Sequence, residues 1–498
     1  SGCSRIRIRS EKSRNHARAD LNRLQSRQQG YYPVMNIRQT ATAAWSRRLT
    51  LRVRDAARAL PEIAGLVASV EGVVTSFAPA GDGRDATLAE AVVFLPGQSA
   101  TDALAAGLAG LQASSLVENS DRTFALHRGG KLGIESRSAL AGPDELAMAY
   151  TPGVARVCKH IESEADAAWD LTIKGSTVAV VTDGTAVLGL GDIGTLAALP
   201  VMEGKAALFR VFGGVNAFPV CLDTRDPNQI VETTARIAPV FGGINLEDIS
   251  APRCFGIEKR LDAMLDIPVF HDDQHGTAIV TLAALENAVE MTARRMESLR
   301  VVISGAGAAG IAVAEILRGR GVAEIVLCDS KGIVSLERRD LNEYKARFAV
   351  SAGGTLADAL RGADVFVGVS APGIVNREMV ASMSQRPIVF GLSNPVPEIM
   401  PEVLDGLDAV IATGRSDYPN QINNVLAFPG IFRGSLSCRA RSITPAMYRA
   451  AARALAGLVS ERDREQGRII PAVFDPRVAD AVAGAVIACA REEGLSRA

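Results

Sequence analysis

The sequence predicts an α/β protein with three folded units: an N-terminal βαββαβ module, a domain on a parallel sheet, and a second, doubly wound parallel sheet with a helical tail. Three observations predict it. Between residues 49 and 126, short strand-like runs alternate with two helical ones; from about residue 131, β-rich runs alternate with longer helical stretches; and a glycine-rich turn at residues 305–310 opens a fresh strand–helix repeat. A chain of 498 residues, 48% hydrophobic and 22% charged, has core enough for two to four domains.

Residues 1–48 read as a basic extension. The first 34 carry eight Arg or Lys against Glu11 and Asp20 and show no sustained apolar period, which predicts disorder. A nucleic-acid arm, a transit peptide and an extension upstream of a start at Met35 stay open for it. The βαββαβ order follows from "LTLRV", a helix near 56–69, "GVVTSFAP", "AEAVVFLP", a helix near 100–112 and "SLVENSDRTFAL". Such a unit suits a small effector or serves as a spacer. The parallel sheet follows from "TVAVV", "AFPVCL", "INLEDI" and "IPVFHDD". After "TARRMESLR" a second sheet begins with "RVVISG".

Composition narrows the partners. Lys plus Arg at 54 nearly cancels Asp plus Glu at 55, so no overall field gathers nucleic acid or an anionic membrane, and small ligands are expected. No apolar run reaches the roughly 18 residues a bilayer span requires. Seven cysteines without a CxxC pair argue against a disulfide framework or a structural zinc site and fit a reducing cytoplasm.

Gly305, Gly307 and Gly310 form G-x-G-x-x-G between a strand and an apolar helical run. A second strand, "AEIVLCD", follows and ends at Asp329, 19 residues past Gly310. Strand, turn, helix and acid together match the dinucleotide (Rossmann) fingerprint: the glycines let the backbone approach a pyrophosphate at the helix N-terminus, and the acid receives the adenosine ribose. Asp329 favours NAD, while Lys331 leaves NADP as the alternative.

Glu247 and Asp248 end one apolar strand; Asp272 and Asp273 end another 25 residues on. A right-handed βαβ unit brings both strand ends to one side of the sheet, and four carboxylates crowded there demand a cation. Oxygen ligands suit Mg²⁺ or Mn²⁺ better than zinc, with solvated strand ends as the bland alternative. His271 and His275 flank the acids and are read as structural groups. Lys205 stands among apolar neighbours in "PVMEGKAALF". Burial there is expected to disfavour its charge and make it a general base, partnered by Asp272 or Asp273. Tyr150, before the turn Thr151-Pro152-Gly153, puts a phenol at a loop edge, either as an acid or in packing.

Nine stretches in order, "SDRTFALHRGGKL", "AYTPGVA", "VLGLGDIG", "PVMEGKAALF", "INLEDISAPRCF", "HDDQHGTA", "GAGAAG", "GLSNPVPE" and "QINNVLAFPGIFRG", resemble the malic enzymes, specifically the bacterial type with an amino-terminal ACT-like module. The resemblance runs from about residue 49 to about 460. It implies an ACT-like regulatory module over 49–127, a substrate and metal domain over 128–290, an NAD-binding Rossmann domain over 291–460 and a helical segment over 461–498. It implies Tyr150 as general acid, Lys205 as general base with Asp272 beside it, and Glu247, Asp248 and Asp273 as ligands of Mg²⁺ or Mn²⁺. Asn394 falls on the cofactor side and Asn424 on the substrate side. Ala186 departs from the pattern, since the larger eukaryotic enzymes carry a substrate-binding arginine there.

The implied reaction is oxidation and decarboxylation of malate to pyruvate and CO₂ with NAD, or NADP, as acceptor, in a cytoplasmic homodimer or higher oligomer with a small effector at the N-terminal module. Two rivals remain at this level. One is a metal-independent amino-acid dehydrogenase of similar architecture; the other is a non-catalytic sensor of nucleotide and dicarboxylate.

Overall fold

The computed structural model describes residues 41–79, 87–187 and 189–498. The basic extension up to residue 40 lies outside the described residues, and its expected end at residue 48 is corrected. Strand β1 (Thr42–Val53) starts earlier. Residues 46–48 pair there with the later strand β3, and Arg47 reaches Asp121 at 2.9 Å. Charge hid this strand end from a reading of apolar alternation.

The chain divides into two compact units that meet at Ala125 and Leu126. The first contains β1, α1 (Ala56–Ser69), β2 (Val73–Pro79), β3 (Leu88–Leu95), α2 (Gln98–Gly107) and β4 (Ser114–Asp121). Its sheet runs β2-β3-β1-β4 with every neighbouring pair antiparallel. Ala89, Ala91, Val93 and Leu95 alternate onto the buried face of β3, where Leu49 and Leu51 of β1 meet Ile63 and Val67 of α1 and Leu104 of α2. Asp55 caps α1 by accepting from the Ala57 amide at 3.1 Å. The second helix is shorter than expected: it ends at Gly107 and tightens into a 3₁₀ turn over Leu108–Gly110.

The second unit begins with α3 (Pro143–Ala149) and α4 (Val154–Ser163), and then builds two parallel sheets. The first sheet has the order β6-β5-β7-β8, from β5 (Thr177–Thr182), α5 (Thr195–Leu208), β6 (Asn216–Cys221), β7 (Gly243–Leu246), α6 (Arg253–Met264) and β8 (Val269–His271). Helix α7 (Thr277–Met291) leads into the second sheet. That sheet runs β11-β10-β9-β12-β13-β14, comprising β9 (Arg300–Ser304), β10 (Glu324–Asp329), β11 (Gly332–Ile333), β12 (Val365–Gly368), β13 (Ile388–Gly391) and β14 (Val410–Thr413). All its pairings are parallel except β10 with the short β11. Helix α8 (Ala308–Gly319) follows β9.

The strands β5, β7, β12 and β13 are buried along their whole length, as parallel strands covered on both faces must be. One apolar core joins the two sheets: Phe209, Phe428, Phe432 and Phe270 form a chain of ring contacts at 4.7, 5.3 and 5.9 Å. Helix α9 (Phe428–Ser437) lies against the C-terminal α10 (Val478–Glu492), and the approach is close because Gly430 and Gly434 face it. An added Cβ would lie 2.6 Å from Val482 and 2.7 Å from the Ala483 carbonyl. Among the described residues no helix is long and apolar enough to cross a membrane.

Candidate active site

Parallel neighbours finish on the same edge, so the ends of β5, β7 and β8 converge. Asp183 follows β5, Glu247 and Asp248 follow β7, and Asp272 and Asp273 follow β8. Glu247, Asp248 and Asp273 offer oxygens that all lie within 4.8 Å of one another. Glu247 and Asp248 are buried. Asp248 is held in the left-handed region at φ 52°, a conformation that costs on the order of 1 kcal/mol or more for a non-glycine. Its amide donates to Asp273 Oδ2 at 2.8 Å, and its carbonyl accepts from Ala186 at 2.9 Å. Asp272 and Asp273 open a single widened, π-type turn over Asp272–Gly276.

Lys205 descends from α5 into this acidic edge. Its ammonium sits 2.5 Å from Asp272 Oδ2 and 2.9 Å from Glu247 Oε1, 4.3 Å from the centre of the Phe428 ring, and the residue is 7% exposed. Asn424, in a 3₁₀ turn on the nucleotide-sheet side, donates its amide to the same Asp272 oxygen. Burial opposes the lysine charge, but Asp272 and Glu247 outweigh it and hold the ammonium above the ordinary lysine range. The expectation that burial lowers it is therefore corrected. Four acids surround one ammonium, and the excess of negative charge shows on the acids. Burial pushes the Glu247 carboxyl well up, and Asp272, Asp273 and Asp248 add to the push against Lys205. Burial likewise raises Asp272. A divalent cation among Glu247, Asp248 and Asp273 is what this donor set fits: three oxygens, no sulfur, surplus negative charge.

The two histidines stand differently towards that triad. His275 pairs with Glu258 at 2.9 Å and stacks on Tyr448 at 4.4 Å. His271 is fully buried, with Nδ1 3.7 Å from Asp273 Oδ2. Glu258 also accepts from the His271 amide and from Gln274, so it organises the whole turn. Sequence reasoning missed Glu258, which sits one turn into α6 with nothing local to mark its partners. It also missed Arg253, whose guanidinium bonds Thr185 and lies 2.5 Å from Asp183, beside Ala186.

Tyr150 is not brought into this cluster. It caps α3, is 69% exposed, and its phenol has no hydrogen bond among the described residues.

On the second sheet, the turn after β9 has the shape a dinucleotide needs. Gly305 takes φ +113°, and a Cβ on Gly310 would lie 1.7 Å from the Gly305 carbonyl, so strand and helix can meet this closely only through glycine. Gly307 faces open space, leaving the α8 N-terminus accessible to a pyrophosphate. The turn opens at the switch between β9 and β12, where the strand order reverses. Glu398, fully buried, clamps the neighbouring strand ends by accepting from the Ser370 amide at 2.7 Å and the Ser393 amide at 3.1 Å. Asn394 follows β13, and its carbonyl packs against Gly189 of the first sheet's loop.

Residues 136–262 match the family model described as malic enzyme, N-terminal domain, and residues 274–491 match that described as malic enzyme, NAD binding domain. The chain belongs to the malic enzyme family. The NAD-dependent malic enzyme of Geobacillus stearothermophilus is 53% identical over 401 residues, which is 80% of this chain and 84% of the relative. The bifunctional malic/malolactic enzyme of Bacillus subtilis is 53% identical over 377 residues, covering 74% of this chain and 92% of the relative. Among solved structures, malic enzyme from Pyrococcus horikoshii superposes with a TM-score of 0.72 at 43% identity, over 76% of this chain and 91% of that one.

Proposed function

We propose that the pocket at the ends of β7 and β8 is where malate is oxidised and decarboxylated to pyruvate and CO₂. The observation that carries this is a single cluster: Lys205 Nζ lies 2.9 Å from an acid of the carboxylate triad whose oxygens sit within 4.8 Å of one another. Glu247, Asp248 and Asp273 would hold Mg²⁺ or Mn²⁺, which supplies Lewis acidity toward the substrate oxygens. NAD or NADP would lie across the β9 turn and supplies the hydride acceptor.

This chain's own residues handle the proton. Lys205 would first pass its own proton to Asp272, 2.5 Å behind, and as the neutral amine would then take the proton of the malate C2 hydroxyl. Asn424 fixes the orientation of Asp272 on the substrate side, and Asn394 serves the cofactor side. The Geobacillus stearothermophilus relative, named NAD-dependent, supports NAD as the acceptor. Tyr150 would return a proton to C3 only once its arm carries the phenol to the cluster, from which it stands apart here. It rides on an exposed arm: α3 and α4 bury no side chain, and Leu146 and Met148 are more than half exposed. Helices of 7 and 10 residues are marginal alone in water, so this face calls for cover. We assign the cover to a second copy of the chain, giving a homodimer. Leu146→Asp with Met148→Asp is expected to yield monomers by light scattering, and a wild-type chain that runs as a monomer overturns the assignment.

The βαββαβ order and antiparallel β2-β3-β1-β4 sheet of the first unit support an ACT-like effector module. The scattered cysteines, six of them free among the described residues, support a reducing, cytoplasmic setting. The deciding experiment incubates the purified chain with malate, nucleotide and Mn²⁺. Pyruvate and reduced nucleotide appear together, vanish with EDTA and return with excess Mn²⁺. Turnover that persists in EDTA would point instead to a metal-independent dehydrogenase.

A further inference from the structure

Glu258 is neither a ligand of the triad nor a carrier of the proton, yet its carboxylate reaches both flanks of the turn that bears Asp272 and Asp273. Its Oε1 accepts from the His271 amide at 2.9 Å, just before the two acids, and lies 2.9 Å from His275 Nε2 beyond them. Its Oε2 accepts from Gln274 Nε2 at 3.0 Å. The side chain is only 13% exposed and stands on α6, the crossover helix between the end of β7, where Glu247 and Asp248 lie, and β8. One carboxylate therefore ties the crossover to the turn at its far end. His275 is fixed from its other side by the stack on Tyr448, from the helix Pro445–Ala456. The turn has little room to drift, since a Cβ on Gly276 would run into Asp272 Oδ1.

We propose that Glu258 is a positioning residue for the divalent cation: by holding His271, Gln274 and His275 it sets where Asp273 meets Glu247 and Asp248, and so how tightly the triad binds the ion. The inference rests on the cation site proposed for those three acids and adds the group that keeps its two halves in register. Glu247 and Asp248 arrive at the end of β7 and Asp273 in the turn after β8, so their separation depends on what braces that turn. Asp273 accepts from the Asp248 amide at 2.8 Å, a contact that a shift of the turn would break. Removing a group that orients a metal ligand typically weakens the metal by about 10–100-fold. The role needs acceptors in place more than it needs charge. In Glu258→Gln the amide oxygen can stand where Oε1 stands and keep the bonds from the His271 amide and His275, while the Gln274 amide turns over to accept from the new NH₂ group.

The test measures Mn²⁺ binding to the full chain from the EPR signal of free Mn²⁺, without malate or nucleotide, and thermal unfolding in EDTA as a separate measure of stability. Glu258→Ala is expected to raise the Mn²⁺ Kd about tenfold or more, and Glu258→Gln to stay within about threefold of wild type. Glu258→Asp, too short to reach His271, Gln274 and His275 together, is expected to follow Glu258→Ala. Leu261→Ala, which removes buried packing from the same helix, is expected to lower stability and leave the Kd unchanged. A Glu258→Ala chain that is less stable but binds Mn²⁺ as wild type does overturns the inference, as does a loss in Glu258→Gln equal to that in Glu258→Ala. If Glu258→Ala does not fold, Glu258→Asp is read by the same two criteria. A wild type that binds no Mn²⁺, or an Asp273→Asn chain that binds it undiminished, overturns the cation site itself and this inference with it.

Discussion

Replacing Lys205 with Met tests the acidic edge most directly, because three effects follow with different signs. Methionine keeps the apolar stem against Phe428 and removes only the charge. In the native site that charge stands 2.5 Å from Asp272 and 2.9 Å from Glu247, both buried. At an effective dielectric of about 20, a pair at the longer distance is worth about 6 kcal/mol gross, most of it offset by desolvation. Breaking such a pair from one side leaves the acids uncompensated and costs about 3–5 kcal/mol of stability. Proton transfer through Lys205 disappears, so pyruvate formation is expected to fall by about 10²–10⁴. Mn²⁺ affinity is expected to rise, because the triad loses its competing cation. Thermal unfolding in EDTA and then in a Mn²⁺ series reads both stability and affinity, since stabilisation grows as RT ln(1 + [Mn²⁺]/Kd). The variant should melt below wild type in EDTA and gain more from Mn²⁺. Turnover within tenfold of wild type, or a smaller Mn²⁺ gain than wild type shows, refutes the reasoning.

Gly310→Ala is expected to abolish nucleotide binding, measured by NADH fluorescence, because its Cβ would sit 1.7 Å from the Gly305 carbonyl, while Mn²⁺ stabilisation stays, because the carboxylate triad lies on the other sheet. Burial pushes the Cys254 and Cys328 thiols up to about 12, so maleimide at neutral pH should modify exposed Cys158 ahead of both. Mass spectrometry showing Cys254 modified ahead of Cys158 would count against it. Burial opposes the Asp329 charge, but Arg338 and Lys345 hold the carboxyl well below its ordinary range. Its folded value is depressed, so its contribution is complete above the unfolded value of about 3.9 and is lost as pH falls through the folded value. Asp329→Asn should therefore lower stability to urea at pH 7, and the gap to wild type should close in strong acid. A constant gap removes the ion-pair explanation.

The parts of the molecule that were legible in the sequence are those written in local period. The β3 alternation, the buried runs of β5 and β9 and the glycine turn each follow from neighbours a few residues apart. The strand-end acids were legible too, because the handedness of a parallel crossover fixes where both ends arrive. What was not legible depends on partners distant along the chain. Burial of Lys205 could be read from "PVMEGKAALF", but the sign of its response could not: that is set by Glu247 and Asp272, 42 and 67 residues further on. Asp329 was read as a free acceptor because Arg338 and Lys345 approach it only once the loop after β11 has folded back. The first residues of β1 were assigned to the extension because Arg47 and Arg48 look solvated until Asp121 and the facing strands arrive.

The contact between Asn424 and Asp272 ties these observations into one device. Asp272 belongs to the first sheet, and Asn424 follows the last strand of the second. Lys205 and Asn424 bond the same oxygen of Asp272, so the acid beside the lysine is aligned only when both sheets are packed together. The other Asp272 oxygen, Oδ1, is buried with no hydrogen-bond partner among the described residues. On the proposed function, the carboxylate triad of one sheet, the glycine turn of the other and the Lys205–Asp272 pair tied to Asn424 would make the oxidation site a property of the packed pair of sheets. Neither sheet carries it alone, which is why one continuous aromatic core, Phe270 to Phe432 to Phe209 to Phe428, runs beneath it.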